Sequence, residues 1–183
     1  MTKQDEPIKI ELPSIFPVKS VNAWLFKDPE PVLIDCGEKT DLSWNALEKG
    51  LKREGLSIAD LKKVIITHGH LDHMGMANRI TQHSDAEIWV NEYNVDWAID
   101  LKKMLILRQE AFAEVCASNL SSFDRSQMHD FGYKALAPYW DEIPENRLKV
   151  FPVDGTLELG GNNWQSIYVP GPVSYTHLTL PTI

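Results

Sequence analysis

At 183 residues the chain can form one compact domain with a sizeable core, and two domains would be crowded. Its 43% hydrophobic and 24% charged residues are ordinary for a globular protein and exclude disorder along the whole length. A formal net charge of -8, with no visible cluster of Lys and Arg, argues against nucleic-acid binding, because phosphate contacts are made chiefly by those residues.

From the start of the chain, Met1 to Leu12 alternates polar and apolar residues without a long apolar run. Neither a signal peptide nor a membrane anchor is expected there, and a cytoplasmic location is the default. Ile8 to Leu12, Val21 to Phe26 and Val32 to Asp35 read as an opening β-meander. Thr40 or Asp41 can cap a helix running through Glu54, with Trp44, Leu47 and Leu51 as its buried stripe and Gly55 as its stop. Leu61 to Thr67 is the next strand, completing a βαβ order that leaves the following loop at the strand's carboxyl end. The two cysteines, Cys36 and Cys116, are too few for a disulfide framework and are expected to be reduced.

That loop reads Thr67-His68-Gly69-His70-Leu71-Asp72-His73-Met74-Gly75, with four candidate metal ligands in six positions. If strand geometry persists to His70, then His68 and His70 point to one side and can share an ion. Gly69 and Gly75 permit a bend that brings Asp72 and His73 back over the first two, a spacing suited to two metals. Imidazole and carboxylate form the ligand set expected for zinc, with iron or manganese as alternatives. The plain structural alternative is solvated loop histidines with Asp72 capping the next helix.

Thr-His-x-His-x-Asp-His-x-Gly resembles the signature of the metallo-β-lactamase-fold hydrolase superfamily, whose αββα sandwich holds one or two metal ions at the sheet edges. The resemblance implies that His68 and His70 belong to a first metal and Asp72 and His73 to a second, with Asp72 also orienting a metal-activated water. Asn22 to Gly37 is similar to the family's first hairpin, which ends in an Ile-Asp-x-Gly turn beneath the metals. Asp35 would brace the ligands from below, or equally would close a turn with Gly37. His70, where flavodiiron relatives usually carry Glu, makes an oxygen-reducing role a poor match. His73 directly after Asp72 resembles the glyoxalase II, lactonase and tRNA-processing branches more than the antibiotic-degrading one.

Further on, Met76 to Gln82 reads as a short helix and Ala86 to Val90 as a strand, while His83 reads as a surface residue near a helix end. Asn94 to about Leu120 is helical in pattern, as one long helix, with too many apolar positions for a single stripe. Asn94 to Pro144, which includes Phe123, Met128, Phe131, Tyr133, Tyr139 and Trp140, is taken as a helical insertion over the site, a lid or a surface for a homo-oligomer. His129 is given no role. Leu148 to Val153, a hairpin-like Asp154-Gly155, Thr156 to Leu159, the turn Gly160 to Asn163 and a strand over Trp164 to Val169 resume the sheet. In the family the next loop reads Pro-Gly-His-Thr, whereas Pro170-Gly171 is followed here by Pro172, so the third histidine of the first site is missing at its position. Pro172 to Thr182 resembles a translated sequencing-library adapter. Residues 172–183 are therefore expected to be a non-native tail that does not pack as a strand, with His177 no ligand.

The resulting expectation is an α/β chain, residues 1–171, forming the N-terminal part of an αββα metallo-β-lactamase sandwich. The implied activity is metal-dependent hydrolysis of an ester, thioester, lactone or related bond in a small-molecule substrate. Zinc is the expected metal, two ions in the complete protein, and no membrane partner is expected. Two alternatives stand beside it: a catalytically inactive truncated fragment that binds metal weakly, and a nuclease of the same fold.

Overall fold

Period-two alternation at the start of the chain becomes strand β1, Ile8–Pro13, which buries Ile10 and Leu12 and turns Lys9 and Glu11 outward. The computed structural model describes residues 6–15, 17–116, 134–170 and 174–179, apart from the side chains at 108, 109, 111–116, 170 and 174–179. β1 pairs antiparallel with β2, Ser20–Phe26, and β2 with β3, Val32–Ile34. Helix α1, Asp41–Arg53, follows. The Thr40 hydroxyl accepts the Ser43 backbone N–H at its start, and Trp44, Leu47 and Leu51 are buried, as their spacing predicts. Gly55, at φ 77, ends it.

The crossover through α1 delivers β4, Lys63–Ile66, parallel to β3. Two short helices, α2 (Leu71–Met74) and α3 (Ala77–Thr81), then lead to β5, Glu87–Asn91, parallel to β4. After α4 (Val95–Ile99) and α5 (Leu101–Cys116), the chain returns as β6, Leu148–Phe151, parallel to β5. These six strands form one sheet in sequence order. β7 (Thr156–Leu159), β8 (Asn162–Pro170) and β9 (Ser174–Thr179) make a second, antiparallel sheet.

Both faces of the first sheet are covered, which is why its central strands read as unbroken apolar runs. Val64 and Ile66 join Leu33, Ile88, Leu47, Leu51, Ile80 and Ala98 in the core beneath the helices. Ile65, between them in sequence, faces the opposite way, into a smaller core with Phe26, Phe151, Leu157, Leu159 and Trp164 where the two sheets meet. The architecture is the expected α/β sandwich, and it sets the loop after β4 at the carboxyl edge of the parallel strands.

Four expectations are corrected. β4 ends at Ile66, so strand geometry does not reach His70, which instead stands at the N-terminal boundary of α2. The long helix from Asn94 is broken at Asp100 (φ -149, ψ 73), whose carboxylate accepts the Lys103 backbone N–H and so starts α5 afresh. Asp154-Gly155 is no hairpin. β6 pairs with β5 and β7 with β8, so this turn carries the chain from one sheet to the other, while Gly160 and Gly161 at φ 58 and 72 form the two-residue hairpin turn between β7 and β8. Finally, Ser174–Thr179 does form a strand, in register with β8 from Gln165↔Thr179 to Pro170↔Ser174. Ser-Tyr-Thr-His-Leu-Thr carries enough strand-forming residues to satisfy the open edge of β8. Phe123, Met128, His129, Phe131, Tyr133 and Pro172 lie outside the described residues.

Candidate metal centre

The four motif residues come together over the end of β4. The His68 ring lies 4.8 Å from that of His70 and 4.1 Å from that of His73, centroid to centroid. His73 Nε2 is 3.7 Å from Asp72 Oδ2. Asp72 and His73 are gathered by the single turn of α2, in which the backbone N–H groups of His73 and Met74 both donate to the His70 carbonyl. A strand from below holds that turn in place: the backbone N–H of Cys36, just after β3, donates to the His73 carbonyl at 2.7 Å.

Asp35 is the anchor of the arrangement. Buried and at φ 56, it accepts the Thr67 backbone N–H (2.9 Å), the Thr67 hydroxyl (2.8 Å) and the Nδ1–H of His73 (2.7 Å). Of its two readings, the hydrogen bond to His73 is the one the structure supplies a contact for. A carboxylate only accepts, so the Thr67 hydroxyl donates to Asp35, and it lies 3.0 Å from His68 Nδ1. By the same rule His73 carries a proton on the Nδ1 that faces Asp35. A carboxylate behind an imidazole is the usual support for a metal-ligating histidine. Burial lowers the His73 pKa, but the hydrogen bond to Asp35 and the charges of Asp35 and Asp72 outweigh it and raise the value above 6.5.

The chemistry of this donor set fits a divalent metal: imidazole nitrogens with their other nitrogen already committed, beside a carboxylate. The geometry is less complete. Among the described residues, no group of three or more His, Cys, Asp or Glu is arranged to hold an ion as it stands. His177 lies opposite Ile167 in the β8–β9 ladder, and its side chain is outside the described residues. His83 is exposed and bonded through Nδ1 to the Arg79 carbonyl, away from the motif, as expected.

Beside the motif opens a cleft of about 180 Å³ lined by Gly69, His70, Leu71, Asp72, Trp97, Leu105 and Leu136. α4 and α5 contribute Trp97 and Leu105 to its lining. Asn94 fastens that side: its buried side-chain oxygen accepts the Gly69 backbone N–H at 3.1 Å. Trp97 lies so close to the loop that a Cβ on Gly69 would meet its ring at 2.5 Å.

The profile of the metallo-beta-lactamase superfamily matches residues 17–177. The chain belongs to that superfamily. Among superfamily proteins, a probable metallo-hydrolase of Bacillus subtilis, YqjP, is 30% identical over 88% of this chain and 58% of its own length. A hydroxyacylglutathione hydrolase of Haemophilus influenzae, GloC, is 53% identical over a short stretch, 16% of this chain and 14% of that one. Two solved superfamily structures share the fold. The Thermus thermophilus protein TTHA1429 gives a TM-score of 0.67 at 22% identity, over 94% of this chain and 55% of its own. The Legionella gormanii metallo-beta-lactamase FEZ-1 gives 0.59 at 19%, over 87% and 51%. The chain therefore spans little more than half the length of YqjP and of the two solved structures. Membership in the superfamily implies a divalent metal, without saying which.

Thr67, Asn94 and Trp97 touch the motif and were given no role of their own from the sequence, and Gly69 was read only as a point of bending. Thr67 adjoins the first histidine, so its hydroxyl was a readable signal. Asn94 and Trp97 lie more than twenty residues away, and only the path of the chain brings them back.

Proposed function

We propose that this chain is a metal-dependent hydrolase in which His68, His70, Asp72 and His73 hold the metal, zinc being the best match to the donors. The observation that supports this reading is the hydrogen-bonded set in which Asp35 accepts from Thr67 and from His73, with the Thr67 hydroxyl 3.0 Å from His68 Nδ1, beside the carboxylate of Asp72. A bound ion there would supply Lewis acidity and lower the pKa of a water. Asp72, on the first turn of α2 and lining the cleft, would help hold the ion and orient the activated water, so it is the catalytic residue of the proposal. His73, locked by Asp35, keeps its ring orientation through the reaction.

The bond attacked is an ester, thioester, lactone or relative in a small molecule. A nuclease role gains no support from the described residues lining the cleft, among which there is no Lys or Arg. A cytoplasmic setting accords with the buried free thiol of Cys36, and no helix among the described residues is long and apolar enough to cross a membrane. Self-association would run through α5 and the residues after it.

A second reading, weak metal binding without turnover, is favoured by the incomplete donor geometry. Elemental analysis after zinc loading, together with a panel of ester, thioester and lactone substrates, separates the two. Bound zinc and turnover that both disappear in His70→Ala are expected. Turnover indifferent to chelator and to His70→Ala would overturn the proposal, and stoichiometric zinc without turnover would favour the second reading.

A further inference from the structure

We propose that the cleft beside His70 and Asp72 binds an uncharged apolar group of the substrate, and that Trp97, Leu105 and Leu136 set its length. This rests on the hydrolase reading for the bond that is cut, but the cleft itself is argued from its walls. Of the described residues lining it, Leu71, Trp97, Leu105 and Leu136 are apolar, Gly69 adds only backbone, and the polar side chains are the two motif residues His70 and Asp72. Neither Lys nor Arg is among those described residues, so an anionic substrate tail would lose hydration against mostly apolar surface there. A mostly apolar cleft with a few polar groups is the arrangement that orients a ligand.

The wall is also fixed relative to the motif. The Asn94 side chain on the Gly69 N–H, and Trp97 pressed on Gly69, tie α4 to the backbone between His68 and His70. A substrate group lying on Trp97 is therefore held at a set position from the motif. A cleft of about 180 Å³ takes a short apolar chain rather than a long or bulky group.

The test uses the whole chain and two independent readouts. Tryptophan fluorescence and saturation-transfer NMR measure binding of neutral aliphatic amides from acetamide to octanamide, with adipic acid monoamide as a charged counterpart. Hydrolysis of p-nitrophenyl esters of the same chain lengths is followed on zinc-loaded protein. Affinity should rise about three- to fourfold per methylene among the shorter amides and level off within the series. The charged probe should bind far more weakly, and ester kcat/KM should follow the same order. Leu136→Glu, at the partly buried rim, should flatten the dependence, and Leu136→Met should preserve it. Binding independent of chain length, equal binding of the charged probe, or an unchanged slope in Leu136→Glu would overturn the proposal. A clear chain-length dependence of amide binding with no ester turnover would uphold the cleft and count against the hydrolase reading alone.

Discussion

At the scale of single residues, Asp35 gathers the most contacts beside the motif, because one carboxylate accepts from both Thr67 and His73. Asp35→Asn isolates that role, since Asn also tolerates the positive φ found there (56°) and so leaves the backbone unstrained. An amide cannot accept from Thr67 and His73 with both oxygens, and zinc affinity should fall about 10- to 100-fold in a competition titration with a chromophoric chelator. Unchanged affinity would show that the Asp35 contacts do not support ligation. Its neighbour Cys36 behaves oppositely. Full burial first, and then the Asp35 charge, push the thiol well above its ordinary 9.0. Cys36 should resist iodoacetamide at pH 8 in the folded protein and react once denatured, as mapped by mass spectrometry. Because the folded value is the higher one, the stability tied to this group is present below 9.0 and is lost as the pH rises beyond it.

Among the elements, α4 and the metal loop are joined by packing too tight for a methyl group. In Gly69→Ala the new Cβ would lie 2.5 Å from Trp97 Cγ and 2.7 Å from its Cβ, so one element must move. Overpacking of this kind costs about 1–3 kcal/mol, and Gly69→Ala combined with Trp97→Ala should recover part of it. Thermal denaturation of the four proteins in that cycle measures the coupling, and strict additivity would mean the contact carries none. A little farther along, Asp100→Ala removes the carboxylate that starts α5 and should cost about 1 kcal/mol.

Over the whole molecule, the second sheet is held by the smaller of two cores. Leu159, almost fully buried, packs there with Phe26, Phe151 and Trp164. Leu159→Ala should cost about 2–5 kcal/mol and loosen β7 to β9 before the first sheet. Limited proteolysis should then cut first near residues 152–165, and initial cutting in β1 to β5 would contradict this order. The metal gives a pH prediction at the same scale. His73 must lose its proton to ligate and its pKa is raised above 6.5, so zinc affinity should fall by about tenfold per pH unit for each proton displaced as the pH drops below that raised value. In the metal-free chain the sign is reversed. The stability due to His73 is fully present below 6.5 and is lost as the pH rises through the raised value, a difference read by comparing melting curves with His73→Asn.

The strands, α1 with its Thr40 cap, and the four clustered motif residues were legible from the sequence because each is a local pattern: alternation, a 3.6-residue stripe, or ligands a few positions apart. Long-range facts were not legible. Asp154-Gly155 has the local chemistry of a hairpin turn, yet β6 finds its partner in β5, and which strand a strand pairs with is decided by the packing of the whole sheet. Likewise β9 forms because β8 leaves an edge to be paired, a demand that a stretch read in isolation does not reveal. Only the tertiary structure set Asn94 and Trp97 against Gly69, made Asp35 the support of His73, and so turned a row of ligands into one wall of a cleft.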